Sequence, residues 1–134
     1  MKAILRCDPD VILIGEIRDK YIARDVIQAS LSGHLVLSTI HANDCSGVLL
    51  RLIEMGLSQQ DLSQSINMII NQRLITTKND NRQLVYETMN QSEIQFFLKN
   101  NFKLPAAFES LVDKLHSLNQ EGVIDEKILR KYST

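Results

Sequence analysis

Glu16 is the first residue whose place suggests chemistry. It lies in the stretch CDPDVILIGEIRD, residues 7–19, directly after Val11-Ile12-Leu13-Ile14 and Gly15. Four consecutive branched apolar residues predict a short strand buried on both faces, the kind found in parallel sheets covered by helices. In open α/β sheets ligands bind outside the carboxyl ends of the strands. A carboxylate emerging there, beside a glycine that leaves room for close approach, can serve a nucleotide, its magnesium ion or an attacking water.

Two histidines flank a second apolar run, Leu35-Val36-Leu37-Ser38-Thr39-Ile40. His34 precedes it and His41 follows it. A strand rising ~3.3 Å per residue puts them about 20 Å apart. Only His41 is then expected at the same sheet edge as Glu16. His34 belongs to the opposite edge, where packing, hydrogen bonding or a subunit boundary would occupy it. Arg18 leaves the first strand two residues after Glu16; it faces a nucleotide or a neighbouring subunit, or pairs with Asp19 or Asp10. Ser38 and Thr39 are polar where a core strand favours valine. Their hydroxyls either bond a phosphate-bound water or bond back to the chain. Cys7 and Cys45 form no CxxC pair and read as small buried or half-buried residues.

The elements that must position these residues follow from punctuation and period. Residues 1–6 read as the end of a helix or its exit loop, and Pro9 stops a helix from running through 8–10. A strand is predicted over 11–16. Asp19 caps a helix over about 20–32, with Ile22, Val26 and Ala29 in one stripe, and Gly33 ends it. Strand 35–40 completes a βαβ unit, which requires the two strands to be parallel. Asn43 or Asp44 caps a helix over about 45–55 that ends at Gly56. Ser58 opens another helix, with Asp61 at its third position and Leu62, Ile66, Ile69 and Ile70 on its buried face. Two short strands, 73–77 and 83–88, flank a turn at 78–82. The remainder is helical, over about 91–100, 106–120 and 125–131, and Phe96, Phe97, Phe102 and Phe108 are expected to tie it down.

Bulk properties exclude several function classes. The chain has 134 residues, 44% hydrophobic and 23% charged, so it is one domain or a piece of one. A net charge of −1 gives no electrostatic footprint for nucleic acid. No window approaches the ~18 apolar residues of a membrane span. Met1-Lys2 leads straight into a patterned segment, which does not read as a signal peptide, and the sparse cysteines point to a cytosolic setting.

DPDVILIGEIRD resembles the Walker B segment of the secretion-type traffic ATPases, the hexameric motors of type II secretion, type IV pili and bacterial DNA uptake. GHLVLSTIHANDC, residues 33–45, is similar to that family's His box. INQRLI, residues 70–75, and LVYETM, residues 84–89, resemble the two segments that follow. Together they cover about 1–90 in the family's order. The resemblance implies an α/β fold: the C-terminal part of a RecA-like P-loop ATPase core over 1–89, with a small hairpin, then a helical subdomain over 90–134. It implies Glu16 and His41 as catalytic, Glu16 acting on the attacking water or the Mg²⁺ shell and His41 on the γ-phosphate. His34, Arg18 and Thr39 are implied more weakly, as nucleotide-binding or sensor residues. The implied cofactors are ATP and Mg²⁺. The implied partners are further copies in a hexamer and an integral membrane platform protein, with the motor peripheral at the inner face of the cell membrane and no nucleic acid bound directly.

The sequence departs from the family in two places. No G-x-x-x-x-G-K-[ST] occurs among its 134 residues, so the backbone cradle and lysine for the β- and γ-phosphates are missing. The expectation is a C-terminal part of a longer ATPase that by itself turns over no ATP. Only ten residues lead from Leu74 to Leu84, without cysteine. The tetracysteine zinc loop of many members has no place there, which leans toward the compact motors of DNA-uptake pseudopili and predicts no zinc. Without a neighbouring strand, the edge of 11–16 is expected to drive self-association. Two other readings stay open: a stand-alone, non-catalytic interaction domain of the same fold, and a pilus retraction motor.

Overall fold

The computed structural model describes Cys7 and residues 9–132; the helix end or exit loop expected at 1–6 lies outside them. Strand β1, Val11–Ile14, leads through Gly15–Asp19 into helix α1, Lys20–Leu31, and strand β2, Leu35–Ser38. β1 and β2 are parallel and in register from Val11 opposite Leu35 to Ile14 opposite Ser38. This is the βαβ unit required by strand, helix and strand within about 30 residues. Both strands are shorter than the predicted 11–16 and 35–40, but their exit segments stay joined. The Ile17 N–H donates to the Thr39 carbonyl at 2.8 Å, and the Thr39 hydroxyl donates to the Gly15 carbonyl at 2.6 Å.

Asp19 caps α1 as its sequence position predicts, its carboxylate accepting from the Tyr21 and Ile22 N–H groups at 2.8 and 3.0 Å. Gly33 follows at φ +99°, a left-handed turn that favours glycine. Ala23, Val26, Ile27 and Ala29 turn the buried face of α1 inward. Replacing Asp19 with alanine leaves two first-turn N–H groups without that acceptor. The expected cost is about 1 kcal/mol, read as a lower urea midpoint with an unchanged slope.

Helices α2, Cys45–Glu54, and α3, Gln59–Ser65, are capped by Asp44 and Ser58. The next segment corrects the sequence expectation. Ile69 and Ile70 lie in a nine-residue strand, β3, Met68–Thr76, rather than on the face of α3. β3 pairs antiparallel with β4, Arg82–Asn90, through a turn in which the Thr77 N–H donates to the Asn81 carbonyl at 2.8 Å. Helices α4, Gln91–Lys99, α5, Leu111–Gln120, and α6, Glu126–Tyr132, complete the chain. α5 begins five residues later than its pattern predicts. Ser110 and Asp113 form a reciprocal capping box there, while the Phe108 N–H turns back to the Pro105 carbonyl at 3.0 Å. Phe97 is buried and Phe108 packs on the core, but Phe96 and Phe102 are exposed.

One apolar core gathers α1, α2, α3, the inner face of β3–β4 and α4, with Leu49, Leu62, Met89, Ile94 and Phe97 among its most buried side chains. A second joins Ile75 and Val85 of the hairpin to Leu111 and Leu115 of α5, Ile124 and Leu129. β1 is not buried on both faces. Ile12 is 3% exposed, whereas Val11 and Leu13 are 50% and 78% exposed, and Leu35 and Leu37 of β2 share that open face. Helices cover the sheet from one side only among the described residues. Here the burial alternates, although the sequence does not.

Candidate functional site

Two strand exits build the site. β1 ends at Ile14, β2 at Ser38, and the Ile17–Thr39 and Thr39–Gly15 bonds hold the following residues side by side. Glu16 and His41 therefore emerge together. His41 Nε2 lies 3.1 Å from Glu16 Oε1, and Arg18 Nε lies 2.6 Å from Glu16 Oε2. The Glu16 side chain is 23% exposed, and those of Arg18 and His41 are 76% and 86% exposed. One carboxylate thus accepts from an arginine and faces an imidazole at the rim of an open hollow of about 470 Å³, lined by these three residues with Gly15, Ile22 and Thr39.

The Arg18 hydrogen bond holds the Glu16 carboxyl below its usual range; burial opposes it, and the charges of Arg18, His41 and Arg51 add to the lowering. Glu16 is thereby kept as an anion. Such a group is a weak base but a good acceptor for an oriented water or a metal-bound water. Among the described residues no cluster of three His, Cys, Asp or Glu side chains could hold a metal ion by itself. A single carboxylate suits Mg²⁺ where phosphates and waters supply the other ligands. Glu16 is the side chain here that would take that part.

Of the five residues that the resemblance implies as catalytic, nucleotide-binding or sensor residues, the structure brings together Glu16, Arg18, Thr39 and His41. Arg18 pairs with Glu16 rather than with Asp19 or Asp10, and Asp19 is engaged in its cap. The Thr39 hydroxyl bonds back to the chain. His34 stands apart at the start of β2, its Nδ1 3.3 Å from the Ala29 carbonyl and 3.2 Å from the Ser32 hydroxyl. Arg51, on α2, escaped the sequence reading. Its Nη1 donates to the His41 carbonyl at 3.0 Å and so fixes the loop that carries the imidazole. No motif marks it; it comes into reach only when α2 folds back along residues 41–44.

Cys45 is fully buried at the start of α2. Burial first, then the charge of Glu87, pushes its thiol up to about 12. It stays a neutral packing group rather than a nucleophile. No helix among the described residues is long and apolar enough to cross a membrane.

Residues 1–117 match the sequence model of the family described as "Type II/IV secretion system protein". Over 75 residues the chain is 55% identical to the putative type II secretion system protein E of Escherichia coli K12, covering 56% of this chain and 15% of that protein. Over 78 residues it is 51% identical to the competence protein ComGA of Halalkalibacterium halodurans, covering 58% of this chain and 22% of that one. Among solved structures, the pilus retraction motor PilT with bound ADP superposes with a TM-score of 0.82 at 28% identity, over 98% of this chain and 42% of that chain. The ATPase DotB of Yersinia pseudotuberculosis shares the fold, with a TM-score of 0.78 at 24% identity, over 98% of this chain and 39% of that chain. The stretches matched therefore amount to about a fifth or less of these two curated relatives and about two fifths of the solved neighbours.

Proposed function

Because the chain belongs to the type II/IV secretion system protein family, we propose that it contains the second half of the RecA-like ATPase domain of a motor, the half that carries the water-orienting carboxylate and the phosphate-facing histidine. The observation that carries this reading is the Glu16–His41 contact of 3.1 Å at the exits of two parallel strands. Bound between this edge and a phosphate loop supplied from elsewhere, ATP would present its γ-phosphate to His41. Glu16 would orient the attacking water and accept its proton, while Mg²⁺ neutralises charge on the phosphates. Arg18 would steady Glu16 in the empty site and reach the nucleotide or a neighbouring subunit when it fills.

The motor is a hexamer that works at the cytosolic face of the membrane against an integral membrane platform protein. It drives a pseudopilus for DNA uptake or for type II secretion. Similarity to both a secretion protein E and a ComGA supports this range, and the short Thr77–Asn81 turn favours the DNA-uptake end of it. By itself the chain does not turn over ATP, since it lacks the phosphate loop. The coding sequence upstream of Met1 tests the reading: an in-frame G-x-x-x-x-G-K-[ST] within ~80 residues is expected. A genuine start codon with no such loop would instead favour a stand-alone interaction domain.

A second outcome concerns assembly. Among the described residues β1 has one strand partner, β2, and the sheet's open face carries Val11, Leu13, Leu35 and Leu37. A free strand edge beside an apolar face invites pairing with another copy. The 134-residue chain is expected to sediment as a concentration-dependent oligomer; a clean monomer at high concentration would count against it.

A further inference from the structure

Glu87 is the one acidic side chain buried in the described residues, 2% exposed on the inner face of β4. Both of its oxygens are used. Oε1 accepts the Cys45 N–H at 2.7 Å and lies 3.4 Å from Asn71 Nδ2. Oε2 accepts the Leu111 N–H at 2.7 Å. Cys45 and Leu111 are the first residues of α2 and α5, each directly after its cap, Asp44 or Ser110. Two helix amino termini therefore converge on one carboxylate, a placement that both their unpaired N–H groups and their dipoles favour.

The same polar cluster grips the loop that presents His41. Asn71 stands opposite Glu87 across the β3–β4 ladder, and its Nδ2 donates to the Asn43 carbonyl at 2.9 Å. Arg73 Nη2 donates to that carbonyl at 3.0 Å, while its Nη1 donates to Asn71 Oδ1 at 2.8 Å. The loop from His41 to Asp44 is thus fastened at its end by Glu87 and at its middle by Asn71 and Arg73.

We infer that Glu87 is a positioning residue that locks the start of α5 to the start of α2, and through it sets the loop that holds His41 against Glu16. A displacement of the C-terminal helices would reach the histidine along this path. The importance of that path for hydrolysis rests on the function proposed for Glu16 and His41; the placement itself does not.

Glu87→Gln and Leu111→Pro in the ¹⁵N-labelled 134-residue chain test it. Glutamine offers one acceptor oxygen and one NH₂ group, so one of the two helix N–H groups meets a donor. The expected result is a ~10–100-fold faster exchange of the Cys45 or Leu111 amide, with displaced His41 ring signals. Proline is tolerated at the first position of a helix, so Leu111→Pro removes the donor to Oε2 without breaking α5. It is expected to accelerate Cys45 exchange several-fold and to move the His41 signals. Leu111→Ala, which trims the same side chain but keeps the N–H, should leave both unchanged. Wild-type Cys45 exchange and His41 signals in both test variants would overturn the inference, as would an equal response to Leu111→Ala. If Glu87→Gln does not fold, the comparison of Leu111→Pro with Leu111→Ala decides. These readouts need no ATP, so an inactive protein would refute the proposed function without touching the placement of Glu87.

Discussion

Glu16→Gln is expected to lower ATP turnover by about 10²–10⁴-fold in a full-length protein containing this chain, with ATP affinity held within a few-fold. Glutamine has nearly the shape of glutamate and keeps an acceptor oxygen. It can preserve part of the contact with Arg18 or His41, so the loop keeps its form. It has no charge to hold the waters of Mg²⁺ and takes no proton from an attacking water. Binding energy from the phosphates and base is untouched, so the loss falls on kcat rather than KM. Phosphate release measured beside binding of a fluorescent ATP analogue separates the two. Normal hydrolysis by the glutamine variant would remove Glu16 from the mechanism. The pH profile gives a second check. Arg18 holds the Glu16 carboxyl below its ordinary value of 4.5, so its ionised form persists as pH falls and is lost only below that value. An acid limb near neutral pH would have to come from another group.

The part of the site legible in sequence was the part encoded at short range. Val11–Ile14 followed by Gly15 and Glu16, and Leu35–Ile40 followed by His41, each place a polar residue at a strand's exit. A βαβ connection then brings the exits together, because parallel strands share an end. The caps Asp19, Asp44 and Ser58 were legible for the same reason, each bonding N–H groups two or three residues away. The second part of β3 was legible as the strand predicted over 73–77, but its start was hidden because Ile66, Ile69 and Ile70 repeat at helical spacing, and because its inward row Ile69, Asn71, Arg73 and Ile75 is broken by two polar residues. The Asn71 amide is inward since it faces Glu87, 16 residues on. The alternation Val85, Glu87 and Met89 did carry the signal, since a strand's inward row is set by its period of two. What sequence alone could not supply was the partner that makes a buried carboxylate affordable: two helix starts that arrive from residues 45 and 111.

The two histidines offer the sharper test of the sheet-edge argument. His41→Ala is expected to reduce turnover by about 10²-fold, the usual loss when one donor to developing phosphate or oxyanion charge is removed. His34→Ala is expected to change it by less than about 3-fold, within the range of a surface substitution. The difference follows from place, since both histidines sit next to the same strand. His41 Nε2 is within 3.1 Å of Glu16 and its ring is largely open to a ligand. His34 spends its Nδ1 on the end of α1, against the Ala29 carbonyl and the Ser32 hydroxyl. Steady-state phosphate release on both variants makes the comparison. Because Glu16 and His41 touch, Glu16→Gln combined with His41→Ala should cost much less than the two losses multiplied. His34→Ala should multiply independently with either. If His34→Ala disables hydrolysis as severely as His41→Ala, the exit of β2 is not what sorts the two. His34 would then have to act from the other end of the strand, on a neighbouring subunit's nucleotide.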